Sequence, residues 1–347
     1  MLDRKMLRNL DWSLYIAVIM ISLLGILMIT SASQNNEFGD PSFYMRKQII
    51  WVVLGHICLL AALYFDYSIW FEVSSFIYAA NLVLLVSVLL LGVSGGGAQR
   101  WIALGGFRLQ PSEFAKIAVA ITLATQISKL GKIDSFWKMF ICSLHVLVPM
   151  SLILIQPDLG TSLVFVVILV AVMYSAGLTT NLLSLMILGA SALAPVVWIF
   201  GLKGYQRDRL TIFLDPSKDR TGIGYQLMQS IIAVGSGMFA GQGLFNGTQS
   251  RLNFLPEQHT DFIFSVVGEE LGFIGSILLV LGFFFIIYRI FMIALSAKDA
   301  FGRYFAIAIG SFLAFQVIVN IGMTVGVMPI TGLPLPFFSA GGSSYLA

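Results

Sequence analysis

Asp261, Ser265 and Glu269 recur at four-residue intervals, a spacing that lines roughly one face of a helix. Glu269 then falls about 12 Å along the axis from Asp261, at 1.5 Å rise per residue. The run Phe262–Tyr288 that holds Ser265, Glu269 and Glu270 is otherwise strongly apolar, and carboxylates in such a run are too costly to face lipid without a reason. Asp261 is the last polar residue before the run. It suits two jobs: capping the start of the helix, or taking a proton from a hydroxyl at the membrane edge. His259 invites a Ser-His-Asp reading with Ser265, but adjacency in sequence is not triad geometry.

A second charged group is Arg108-Leu109-Gln110-Pro111-Ser112-Glu113-Phe114-Ala115-Lys116. Pro111 suits a first helical turn, Glu113 sits where the helix dipole favours an anion, and Lys116 follows on the same face one turn deeper. This is either a buried ion pair that fixes packing or a charged pocket at the outer mouth of a bundle. In the third group, Gln156-Pro157-Asp158-Leu159-Gly160-Thr161-Ser162, a tight turn joins two apolar runs and Asp158 is placed to cap the second. Lys203, Arg207, Arg209, Lys218, Arg220 and Arg251 gather between residues 201 and 261. Because Arg grips phosphate through a planar fork, that segment is a solvated basic loop or an anion site. The glycine runs match neither a P-loop nor a dinucleotide pattern.

These groups need a scaffold, and composition says which kind. Of 347 residues, 58% are hydrophobic and 11% charged, against about 45–50% and 25% in soluble domains. One aqueous core cannot hide that much apolar surface, so the bilayer is the solvent and a soluble enzyme is excluded. Apolar runs near 12–31, 48–65, 70–92, 111–127, 136–155, 159–175, 182–200, 262–288 and 304–325 predict nine spans. A further apolar stretch from Phe337 reads as the start of a tenth, cut short at Ala347. The fold class predicted is all-α, a single polytopic helical bundle over 1–347 with one large extracytoplasmic loop at about 201–261. Within that loop, Gly222–Gly247 reads as a short helix lying in the interface or re-entering the membrane. Lys and Arg in the short loops favour a cytoplasmic N-terminus. Cys58 and Cys142 offer no disulfide framework, and a net charge of +3 gives no case for nucleic acid.

With these groups on the page, the chain resembles the SEDS family (shape, elongation, division and sporulation). The resembling segments include Gly97-Ala98-Gln99-Arg100-Trp101, Phe107 through Glu113, the Gln156–Ser162 turn, and Gly247-Thr248-Gln249-Ser250 running through His259-Thr260-Asp261-Phe262 to Glu269-Glu270-Leu271-Gly272. Asn320-Ile321-Gly322-Met323 and Gly332-Leu333-Pro334-Leu335-Pro336 extend it, while Ser339-Ala340-Gly341-Gly342 departs from the family's usual Ser-Tyr-Gly-Gly. The resemblance is nearest the members that serve cell elongation. It implies a multi-pass protein of the bacterial inner membrane that polymerises lipid II, a disaccharide-pentapeptide on a polyprenyl diphosphate. A class B penicillin-binding transpeptidase and the elongation machinery are the partners it implies, beside membrane lipids. It implies Asp261 as the catalytic residue and Arg108, Glu113, Lys116 and Asp158 as substrate-binding ones; Arg207 and Arg209 are further cations on the same predicted side. Gln110, Ser112, Gln156, Ser265 and Glu269 are expected to support them. A divalent cation, Mg or Mn, is the cofactor this chemistry allows. A lipid II flippase, a division-type polymerase and a scaffold for the transpeptidase are the alternatives.

Overall fold

The computed structural model describes residues 10–34, 40, 42–95, 98–104, 107–219, 221–252 and 254–347. Arg220, Gly96 and Gly97, and the N-terminal Arg4, Lys5 and Arg8 used for orientation, lie outside the described residues. Among the described residues seven helices are long and apolar enough to cross a membrane: Trp12–Ala32, Phe43–Tyr64, Ser74–Leu91, Phe136–Ile155, Thr180–Gly201, Ile263–Ser296 and Ala300–Thr324. Leu159–Ser175 is a shorter apolar helix. Pro111–Leu130 completes the set of nine expected runs and carries Glu113, Lys116 and Lys129. After Pro336 the chain turns and forms only the short helix Gly342–Leu346.

The chain divides into two compact units. The first comprises residues 1–65, 208–287 and 316–346, and the second 66–207 and 288–315, with the last residue. In the second unit, Pro111–Leu130 is buried along most of its length, which explains why a helix with three charges is tolerated there. Ile121, Ala124 and Phe301 form a core cluster beside it, flanked by Phe71, Ile117 and Phe305. In the first unit, Leu227, Leu255, Phe262, Met323 and Ile330 form a cluster directly under residue 261.

Two features depart from the helical expectation. Val93–Gly95, Ala98–Leu104 and Phe107–Leu109 make a small antiparallel three-stranded sheet between two helices. The long run from 263 extends to Ser296, past the expected 288, and is broken at Gly272, where φ is +64°. Breaking a spanning helix strands backbone groups that lipid cannot satisfy. The 237–243 segment satisfies them: Gln242 N donates to Glu269 O (2.9 Å) and Gly243 N to Glu270 O (3.0 Å). In return Phe273 N donates to Met238 O (3.0 Å) and Ile274 N to Phe239 O (3.2 Å). Glycine is required at this crossing, since a β-carbon at 272 would stand 2.3 Å from Gly241 N. Residues 223–236 form the helix expected in the loop, and the turn after it reaches about 15 Å past Asp261 along the neighbouring helix.

Candidate functional site

Asp261 stands half-buried in the turn that leads into Ile263–Ser296. Its backbone carbonyl accepts from Asn320 Nδ2 at 3.0 Å, and the same nitrogen donates to Leu333 O at 2.8 Å. Asn320 is fully buried, so one amide ties the Asp261 turn to the 330–340 segment. That segment adds two more ties. Ser339 Oγ donates to Thr260 O (2.7 Å) and accepts from Leu335 N (2.8 Å), while Ala340 N donates to His259 O (2.9 Å). Gln258 Nε2 donates to Ala32 O (2.7 Å) and Ser250 O (3.0 Å), and the His259 ring lies 4.2 Å from that of Tyr44. The preceding Glu257 is held at φ +51° and Phe337 opposite at φ +61°. Left-handed backbone at non-glycine residues persists only where the surroundings over-determine it.

The close approach that matters chemically passes over Gly332, whose φ is +75°. A β-carbon there would lie 3.5 Å from Asp261 Oδ2 and 3.5 Å from Arg209 Nη1. The carboxylate and the guanidinium therefore both come to the same point over Gly332.

Other acidic residues singled out in the sequence are occupied in other ways. Glu269 Oε1 accepts from Gln249 N (2.6 Å) and Thr248 Oγ1 (3.2 Å), and Oε2 from Ser250 N (3.2 Å). It caps the short Thr248–Arg251 turn from below. Glu270 accepts from Ser31 Oγ and from Phe245 N. Ser265 is paired with Ser230 through a 2.6 Å hydroxyl contact, and Ser230 Oγ donates on to Thr324 O.

In the second unit, Lys116 Nζ donates to Glu113 Oε2 at 2.8 Å, with both side chains buried, and lies 5.7 Å from the Phe312 ring centroid. Asp158 caps Leu159–Ser175, accepting from Thr161 N (3.2 Å) and Thr161 Oγ1 (2.9 Å), with Gln110 Nε2 at 3.3 Å and Ser112 Oγ at 3.4 Å. Gln156 Nε2 donates to Leu85 O (2.9 Å). Arg207 donates to the carbonyls of Ile199 and Leu202, closing the end of the preceding helix. Arg108 is exposed on the last strand of the small sheet.

The sequence reading missed three residues here. Asn320 and Gly332 sit in segments whose resemblance was noted without a role. Arg100 donates to the carbonyls of Gln156 and Pro157 and stands 3.8 Å from Asp158, so it clamps the turn. A buried Asn in an apolar run was the one signal available. Among the described residues no three His, Cys, Asp or Glu side chains come together to hold a metal ion.

Residues 11–347 match the family model FTSW_RODA_SPOVE, described as cell cycle protein. The probable peptidoglycan glycosyltransferase FtsW of Trichlorobacter lovleyi is 39% identical over 99% of this chain and 92% of its own length. The peptidoglycan glycosyltransferase MrdB of Escherichia coli K12 is 36% identical, covering 97% of this chain and 90% of its own. Among solved structures, one chain of a peptidoglycan synthase complex that coordinates polymerization and crosslinking superposes with a TM-score of 0.83. It is 32% identical and covers 97% of this chain and 93% of that one.

Proposed function

Because the chain belongs to the FtsW/RodA/SpoVE family of cell cycle proteins, we propose that it is a peptidoglycan glycosyltransferase that polymerises lipid II. The observation that carries the reading is Asp261 facing Arg209 across Gly332, on a turn locked by Asn320 and Ser339. An acceptor sugar hydroxyl attacks the anomeric carbon of the donor. The new C–O bond forms as the bond to the lipid diphosphate breaks, and the hydroxyl proton passes to the Asp261 carboxylate. Negative charge gathers on the departing diphosphate, which Arg209 is positioned to stabilise. Within the second unit, Glu113–Lys116, Asp158 and Arg207 hold their own helices and turns, and Arg108 is an exposed cation.

The same reading puts the protein in the bacterial inner membrane with a cytoplasmic N-terminus and Asp261 outside, where lipid II is displayed. A class B penicillin-binding transpeptidase is the proposed partner; the similar solved chain comes from a complex named for both polymerization and crosslinking. We assign the protein to elongation on the resemblance of its motifs. Relatives named for division reach 39% identity, so complementation in strains depleted of either the elongation or the division polymerase tests that assignment.

The experiment for the activity is direct. Purified protein, with its transpeptidase where required, should lengthen glycan strands from lipid II. Asp261→Asn should lower that rate by about 10²–10⁴-fold, the usual weight of a general base, with unchanged expression and elution. Full polymerisation by the Asn variant would remove Asp261 from this role. Lipid II translocation without polymer in the same liposomes would support a transporter instead.

A further inference from the structure

Inside the second unit, and away from every residue assigned so far, the Ser74–Leu91, Pro111–Leu130 and Phe136–Ile155 helices flank a half-open cavity of about 320 Å³. Lys129 at its rim lies about 24 Å along its helix from Glu113, at the other end of the span from Asp158. The back wall is closed and satisfied. Tyr78 stacks on His145 at 4.2 Å and donates to its carbonyl (2.8 Å), and His145 Nε2 meets Thr122 Oγ1 at 2.8 Å.

The front is different. Ser74 is 5% exposed, and neither its hydroxyl nor that of Ser75 has a hydrogen-bond partner among the described residues. Gln126 Oε1 is likewise buried without one. Lys129 makes no ion pair among the described residues, its ammonium lying 5.0 Å over the Phe71 ring. No carboxylate lines the cavity. The buried Ser74 hydroxyl and Gln126 amide oxygen thus line a half-open cavity with exposed Ser75 and Lys129 at its mouth, and buried polar groups without partners are expensive. The one formal charge is positive, the hydroxyls can donate, and Gln126 Oε1 needs a donor, so the complementary ligand is an anion rich in acceptor oxygens that also carries a hydroxyl. Next to Ser75, Phe76, Val83 and Leu90 are 76%, 68% and 76% exposed. Their seven-residue spacing draws an apolar track about 21 Å long on that helix.

We propose that this cavity binds the phosphate headgroup of an anionic membrane phospholipid, with an acyl chain lying along Phe76, Val83 and Leu90. A cationic pocket between spanning helices near one membrane face suits such a headgroup. Lys129 supplies the charge, Ser74 and Ser75 the hydroxyl donors, and Gln126 Oε1 accepts from a headgroup hydroxyl such as one of a glycerol headgroup.

The test uses the whole protein, delipidated in nonionic detergent and titrated with phosphatidylglycerol by native mass spectrometry. Saturable one-to-one binding is expected, at least about tenfold weaker in Lys129→Gln and in Ser74→Val, the loss of one charge-assisted or buried contact. Lys129→Arg should retain it. Thermal melts without lipid check that each variant is folded. If a large excess of inorganic phosphate displaces the lipid, the phosphate site stands and the acyl track is overturned. If the Gln and Val variants bind phosphatidylglycerol as the wild type does, the cavity is not the site and the proposal fails.

Discussion

Gly332→Ala tests whether the space between Asp261 and Arg209 is where the reaction occurs. The added methyl would sit 3.5 Å from Asp261 Oδ2 and 3.5 Å from Arg209 Nη1, ordinary contact distances, so nothing in the resting protein need move. The cost in stability is that of holding an alanine at φ +75°, about 1–3 kcal/mol, or a few degrees in a melt of this size of chain. The cost in rate is of another kind. A methyl in that gap displaces whatever oxygen must approach both the base and the cation, and a 1 Å misplacement at a reacting centre costs on the order of 10²-fold. The prediction is a 10- to 100-fold fall in kcat for lipid II polymerisation, about the size of that misplacement, read from glycan length on gels. Gly131→Ala is the control. It too has positive φ (+70°), but a β-carbon there meets nothing within 4 Å. It should show the same kind of melting loss with wild-type turnover. Wild-type kcat in Gly332→Ala, beside a lowered melt in both variants, would refute the reasoning, because the gap would then be a packing detail.

Two further outcomes follow from the same geometry. Asn320→Leu removes the donor shared by Asp261 O and Leu333 O; at about 1–3 kcal/mol per abandoned carbonyl, it should lower the melting temperature more than Gly332→Ala does and also reduce kcat. Retention of both values would show that this amide does not hold the turn. In the loop, the backbone N–H of Gly222 chiefly holds the Asp219 carboxyl below its ordinary value of 3.8; desolvation is the next influence and opposes it, while the N–H groups of Gly224 and Thr221 add lesser pulls downward. A depressed native value means the turn's contribution is complete above pH 3.8 and is lost as pH falls below it toward the lowered value. Hydrogen-exchange protection of the Thr221–Gly224 amides should therefore hold down to that range and then drop, and Asp219→Asn should flatten the profile.

The spans were legible because twenty apolar residues in a row is a property of the line of sequence, and the nine runs reappear as helices with shifted ends. The small sheet was not legible, since strands of three and seven residues carry too little alternation to stand out beside apolar runs. Gly272 was equally silent. One glycine in an apolar run is tolerated in most spans, and its partners at 237–243 are named only by three-dimensional pairing. Asp261 could be picked out as a polar residue at the edge of a run, yet the residues that make its environment come from elsewhere. Asn320 is 59 positions away, and Gly332 contributes by lacking a side chain.

Burial of a carboxylate is a poor guide to which one reacts; how firmly its position is set, and what it faces, is a better one. Glu269 is as buried as any residue in the chain, but its two oxygens accept from Gln249 N, Thr248 Oγ1 and Ser250 N. Asp158 has both oxygens engaged by Thr161 and its neighbours, and Glu113 is neutralised by Lys116. Lone pairs spent on donors that cannot leave are unavailable to an incoming proton, so these carboxylates hold structure. At Asp261 the surroundings grip the main chain: Asn320 takes its own carbonyl, Ser339 that of Thr260 and Ala340 that of His259. Fixing the backbone fixes where the carboxylate starts, and Gly332 keeps open the space it shares with Arg209. A base held in place before substrate arrives, beside a cation placed for the charge that develops, needs little rearrangement at the moment of reaction. That fixed starting position is the reason for proposing the half-buried aspartate as the base.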